Sequence, residues 1–248
     1  MAKFEPRAAK SHQQYHNSKG KRLPGVTTIT GLFDKGGLVR WAAGLHKKGI
    51  EYEAYMAEAA GVGSCAHAMI QSAAHGQKVD LGQFSGDQIS WATECALKVV
   101  DGAALVKSGM TITENQASRI GWFSVIGFEL MESETQLVSE KLQVGGTFDL
   151  YGKTAKGSLA LGDIKTSDSG IYLENCMQVV AYTAMAIENG YEVQYCFVVR
   201  AAKDDAQKVD VKLIKVNSRE YRGLLKGFKA LRGLYEDARV LRKKLGVR

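Results

Sequence analysis

The sequence predicts an α/β protein with a mixed central sheet flanked by helices and an N-terminal helical elaboration. Three observations carry this. Helical periodicity dominates the first hundred or so residues, residues 111–216 read as β-β-β-α-β-β, and the chain closes on a long amphipathic helix. At 248 residues one elaborated domain is expected over 23–248, after a flexible basic arm over 1–22. Its parts are helical elements over 23–110, a core over 111–216 and a last helix over 217–245.

The first twenty residues are rich in Lys, His, Gln and Ser and carry no structural period, hence the arm. From Leu38 to His75 the spacing of Trp41, Leu45, Ile50, Tyr52, Tyr55 and Met56 is helical. A break is expected at Gly61-Val62-Gly63, before a further helical segment from Ser64 to Ala74 that carries His67. Ile89 to Lys107 predicts one helix stopped by Ser108-Gly109.

The pattern then turns extended. Thr111–Thr113 and Trp122–Ile126 read as strand, and Glu134–Val144 alternates loosely until Gly145-Gly146 leads into Thr147–Tyr151. Gly157 marks a turn before the apolar strand Leu159–Lys165. A helix over Tyr172–Asn189 ends at Gly190, and Val193–Arg200 and Val209–Val216 are strands rich in Val, Tyr and Phe. Asn217 and Glu220 suggest a cap for the last helix, whose apolar positions run from Tyr221 to Leu241.

Thirty-three Lys and Arg against 26 Asp and Glu leave a net charge of +7, concentrated at the two ends. That excess suits a polyanionic partner, and the basic face of the last helix is a candidate for following phosphates. Arg40 with Trp41 is a candidate for stacking on an unpaired base. Cys65, Cys95, Cys176 and Cys196 have no CxxC spacing, so reduced thiols are expected rather than a disulfide framework or a metal cluster. The polar start and the lack of a long apolar run predict a cytoplasmic chain with no membrane partner.

One constellation carries chemistry. Asp163 and Lys165 stand two apart on a strand, so carboxylate and ammonium emerge on one side while Ile164 points into the core. A hairpin of this length brings Asp149 beside Asp163. Paired carboxylates repel unless a cation neutralises them, and hard ions such as Mg²⁺ or Mn²⁺ take such oxygen ligands. With Lys165 to orient or activate water and offset charge, the arrangement suits phosphodiester hydrolysis.

Gly146-Thr-Phe-Asp149, Asp163-Ile-Lys165-Thr166 and Gln178-Val-Val-Ala-Tyr182 together resemble the RecB-like branch of the PD-(D/E)XK nuclease superfamily, which includes many phage exonucleases. Gly63-Ser-Cys-Ala-His67 looks like that branch's histidine element, Glu134 occupies its upstream acidic position, and Leu23–Ile29 looks like an N-terminal stretch of the phage members. The resemblance implies that His67, Asp149, Asp163 and the Ile164 carbonyl hold Mg²⁺ or Mn²⁺. Lys165 and Glu134 would join the carboxylates in catalysis, and Gln178, Tyr182 and Thr166 would face nucleic acid. It implies a DNA exonuclease acting at single- or double-stranded ends in phage recombination, repair or replication, with a recombination or single-strand-binding protein as partner. The cysteines do not match iron–sulfur relatives, so no cluster is expected. A structure-selective endonuclease and a non-catalytic DNA-binding accessory protein are the alternatives.

Overall fold

The computed structural model describes residues 14–33, 36–203 and 209–247, with residues 36–41 described as backbone only. Most of the expected arm, residues 1–13, therefore lies outside the described residues. Its remainder is not an arm. Strands β1 (Tyr15–His16) and β2 (Arg22–Leu23) pair antiparallel around a turn containing Gly20 at φ +74°. The Tyr15 ring covers Gly145, where a Cβ would overlap it.

Among the described residues seven helices precede the sheet, and the first six comprise five short or medium ones and one long one. These six are α1 (Val26–Thr30), α2 (Gly36–Lys47), α3 (Tyr52–Ala74), α4 (Gly86–Val99), α5 (Gly102–Lys107) and α6 (Glu114–Ala117). The expected break at Gly61-Val62-Gly63 does not occur, and α3 runs through it. Interior glycines cost a helix about 0.5–1 kcal/mol each, but here they permit close approach. A Cβ at Gly61 would overlap the Gln88 side chain on α4, and one at Gly63 would stand 3.2 Å from Thr166 Oγ1.

The single helix expected over Ile89–Lys107 is split. Val100 is extended and ends α4, and Asp101 starts α5 with its side chain accepting from Gly121 N and Ser124 Oγ. The strand expected at Trp122–Ile126 is instead helix α7, set between an extended Gly121 and Gly127 in the left-handed region at φ +60°. Its aromatic residues decide the matter: Trp122 packs edge-on to Phe197 at 5.3 Å, and Phe123 lies 4.9 Å from Phe128.

The sheet contains β3 (Glu129–Ser139), β4 (Val144–Lys153), β5 (Leu159–Lys165), β6 (Tyr195–Arg200) and β7 (Asp210–Lys215) in that spatial order. Helix α8 (Leu173–Glu188) crosses between β5 and β6, which run parallel, and the other neighbours are antiparallel. This is the mixed central sheet flanked by helices that the sequence predicts. Cys196 through Val199 are all buried, as a central strand covered on both faces requires. Leu150, Ile164, Phe197 and Val199 pack with α3 and α4, whereas Leu161, Cys196 and Val198 pack with α8 and the final helix α9 (Arg219–Leu245).

Ser218, not Asn217, caps α9: its hydroxyl accepts from Tyr221 N, while Asn217 sits outside at φ +63°. No helix among the described residues is long and apolar enough to cross a membrane.

Gly162 lies on β5 where a Cβ would overlap the buried Phe197 ring. Gly162→Ala is expected to destabilise the fold by roughly 1–3 kcal/mol, as overpacking does, read as a lower urea midpoint.

Candidate active site

Register places three carboxylates on consecutive strands. Ser133 pairs with Leu150 and Thr135 with Phe148, which sets Glu134 across from Asp149. On the other side β4 and β5 are paired as far as Leu150 and Gly162, and one further step sets Asp149 across from Asp163. The rung is not closed by backbone. Instead the Asp149 side chain enters, its Oδ2 accepting from Ile164 N at 2.8 Å. Glu134 holds a left-handed backbone at φ +48° inside a strand, a conformation costly for a side chain and tolerated where surrounding contacts impose it.

His67 comes from the middle of α3. Its Nε2 lies 3.2 Å from the Ile164 carbonyl, and its Nδ1 lies 3.7 Å from both Glu134 Oε1 and Asp149 Oδ1. A hydrogen on Nε2 donating to that carbonyl leaves the Nδ1 lone pair toward the carboxylates. One ligand atom from each of His67, Glu134 and Asp149 lies within 4.8 Å of the others. Donors 3.7 Å apart are too far for hydrogen bonds and near enough to share a cation at about 2.1 Å from each. Oxygen donors with one imidazole, partly buried, fit a divalent ion.

Asp163 and Lys165 form the adjoining half. Asp163 is 1% exposed; its Oδ1 accepts from Gln178 Nε2 at 3.0 Å, and Lys165 Nζ stands 2.8 Å from its Oδ2, off the angle of a full hydrogen bond. Gln178 also donates to Tyr182 Oη at 3.1 Å and accepts from Lys165 Nζ at 3.3 Å. One amide thus fixes carboxylate, ammonium and phenol together. Both Gln178 and Tyr182 are buried, and Gly146 makes room for the Tyr182 ring.

The electrostatics follow from burial. Desolvation pushes the Asp149 carboxyl up to about 6; His67 opposes this, and the Asp163 and Glu134 charges add to it. For Lys165 burial favours the neutral amine, but the charges of Asp163 and Asp149 outweigh it and hold the ammonium above its usual range. Burial first, then the same two aspartates, keep the Tyr182 phenol protonated far into the alkaline range.

The structure therefore gathers Glu134, Asp149, Asp163, Lys165, His67, the Ile164 carbonyl, Gln178 and Tyr182. Within this set the metal-type group is His67, Glu134 and Asp149, with Asp163 engaged by Lys165 and Gln178 and the Ile164 carbonyl facing His67. Thr166 faces Gly63 on α3, at the edge of the cluster. The Arg40 and Trp41 side chains lie outside the described residues. All four cysteines are free thiols.

Gln71 is a member that sequence reasoning missed. It is 2% exposed and donates to Glu134 Oε1 at 3.0 Å. The available signal was its position four residues after His67, which puts both on one side of α3. Tyr15 is a second, its hydroxyl 3.4 Å from Thr147 Oγ1 behind the cluster.

No family model matches the chain, and a search of curated proteins finds no match. Among solved structures, the protein SSO0001 aligns at 19% identity over 45% of this chain and 50% of its own, with a TM-score of 0.29. The chain thus spans half the length of that protein. A Eubacterium rectale protein named as a candidate exonuclease aligns at 12% identity over 76% of this chain and 68% of its own, TM-score 0.41. An alkaline exonuclease from Laribacter hongkongensis aligns at 14% identity over 61% and 98%, TM-score 0.30. Identities and scores are low throughout, so the chemistry rests on this chain's own residues.

Removing the buried Asp149 charge relieves repulsion, whereas removing Gln71 loosens a ligand without touching that charge. Asp149→Asn is expected to melt about 2–4 °C above the parent in EDTA and to lose any rise in Tm on adding Mn²⁺. Gln71→Leu should stay folded but bind Mn²⁺ roughly 10–100-fold more weakly by calorimetry.

Proposed function

We propose that this protein is a metal-dependent DNA exonuclease of the PD-(D/E)XK type, acting with Mg²⁺ or Mn²⁺. The observation that carries the reading is the convergence of His67, Glu134 and Asp149 on one point, with the Asp163–Lys165 pair beside it. Isolated Asp-x-Lys pairs occur on many exposed strands, whereas here Asp149 and Asp163 are buried, and Glu134 and Lys165 partly so, around a gap sized for a cation.

When bound, a divalent ion would polarise a phosphoryl oxygen and favour the deprotonated form of an attacking water. The protein's own groups supply the rest. His67, Glu134 and Asp149 would hold the ion, with Gln71 fixing Glu134 and the Ile164 N–H fixing Asp149. Lys165, whose ammonium is favoured by the Asp163 and Asp149 charges beside it, would stabilise negative charge on the phosphorane and orient the water. Asp163 and Gln178 aim the ammonium, and Tyr182 offers a hydroxyl for a phosphate oxygen.

Substrate and setting follow from the motif resemblance: DNA ends, in phage recombination, repair or replication, in the cytoplasm. A single-strand-binding or recombination protein is the fitting partner, and the basic face of α9 the fitting surface for further phosphates.

Lys165→Ala should lower turnover of linear DNA by roughly 10²–10³-fold while affinity for the same DNA in chelator stays within a few-fold. Turnover at the parental rate would contradict the assignment. Circular single-stranded DNA should survive a digestion that consumes its linear form, and cutting of the circle would replace the exonuclease by an endonuclease.

A further inference from the structure

The row of α3 residues that includes His67 and Gly63 continues one and two turns further to Ala59 and Tyr55. There, with Val62, Trp91 of α4, Asp168 and Lys203, it lines an open cavity of about 570 Å³. Ligand pockets commonly measure about 300–1,000 Å³, and this one is walled by apolar and aromatic groups on two helices. At 1.5 Å per residue it starts roughly 8 Å along α3 from His67 and ends roughly 18 Å away.

The cavity and the metal-type cluster share two elements. Three residues after Lys165 the chain reaches Asp168, and Thr166 between them rests against Gly63. The loop is tied down, with Arg200 Nη1 donating to Ser167 O at 2.9 Å and Lys203 N to Asp168 Oδ1 at 3.2 Å. The recess thus lies along the same helix and the same loop as the cluster.

Trp91 keeps 49% of its surface in solvent, although every residue after it on α4 except Glu94 is buried. An indole open toward a recess is a stacking platform for any base. Among the described residues the lining also carries Glu58, Asp87 and Asp168 against the single cation Lys203. Such a rim repels phosphate, so a backbone must stay outside while a base enters. Carboxylates accept hydrogen bonds from the exocyclic amines of cytosine, adenine and guanine, whereas unpaired thymine offers only its N3–H, set between two carbonyl oxygens that the same carboxylates repel.

We propose that this cavity receives an unpaired amine-bearing base, cytosine, adenine or guanine, of the strand whose phosphate lies at the His67–Glu134–Asp149 cluster. The proposal rests on the nuclease reading and adds single-stranded substrate with a base preference. It differs from the Arg40–Trp41 expectation in both residues and helix.

Binding can be read without cleavage, by fluorescence anisotropy of labelled ten-residue oligo(dC) and oligo(dT) in EDTA with the intact protein. Oligo(dC) should bind several-fold more tightly than oligo(dT). Trp91→Ala should weaken oligo(dC) binding roughly tenfold, and Trp91→Phe, which still stacks, much less. An unchanged Tm in both variants excludes misfolding. Equal affinity for the two oligonucleotides, or parental binding by Trp91→Ala, overturns the pocket. Trp91-dependent oligo(dC) binding without nucleotide release in Mg²⁺ or Mn²⁺ keeps the pocket and removes the nuclease reading; nucleotide release indifferent to Trp91 does the reverse.

Discussion

Three carboxylates set side by side on adjacent strands, largely withdrawn from water, constrain everything else in this molecule. Glu134, Asp149 and Asp163 repel one another, and burial alone pushes Asp149 toward neutrality. The fold tolerates them because each is tied elsewhere: Glu134 by Gln71, Asp149 by the Ile164 N–H, Asp163 by Gln178 and Lys165. One compensation is left over. Oxygens of Glu134 and Asp149 stand 3.7 Å from His67 Nδ1, a spacing that a shared cation would fill.

The scaffold features around the cluster read as consequences of that crowding. The left-handed Glu134 lets an edge strand send a side chain inward while Ser133 and Thr135 keep the register. Gly146 and Gly145 surrender their side chains to Tyr182 and Tyr15, so β4 is packed by aromatic rings where its own residues are smallest. Helix α3 accepts two interior glycines and thereby brings His67 against the end of β5. Local helix propensity is spent on approach distance.

The parts legible in the sequence are those governed by short periods. Strand β5 and the Asp163–Lys165 spacing follow from alternation of two, and α8 from its helical period and terminal glycine. Tertiary contacts decided the others. Gly61-Val62-Gly63 looks like a break until Gln88 and Thr166 are placed against it. Trp122–Ile126 is rich in β-forming residues, yet its flanking glycines and an aromatic cluster with Phe197 make it a helix. The grouping of Glu134, rather than Asp163, with His67 and Asp149 depends on a register and a backbone angle that no single strand announces.

That grouping divides labour among chemically identical groups. Glu134 and Asp149 present oxygens to an imidazole lone pair, an arrangement that gains from a cation. Asp163 presents its oxygens to an ammonium and an amide, an arrangement already neutralised. A second cation at Asp163 would have to compete with Lys165, which the same carboxylate keeps protonated. The geometry thus separates a group able to hold an ion from a carboxylate that holds a fixed positive charge. An ammonium held at β5 by Asp163 and Gln178 keeps a fixed place beside the group that could take the ion.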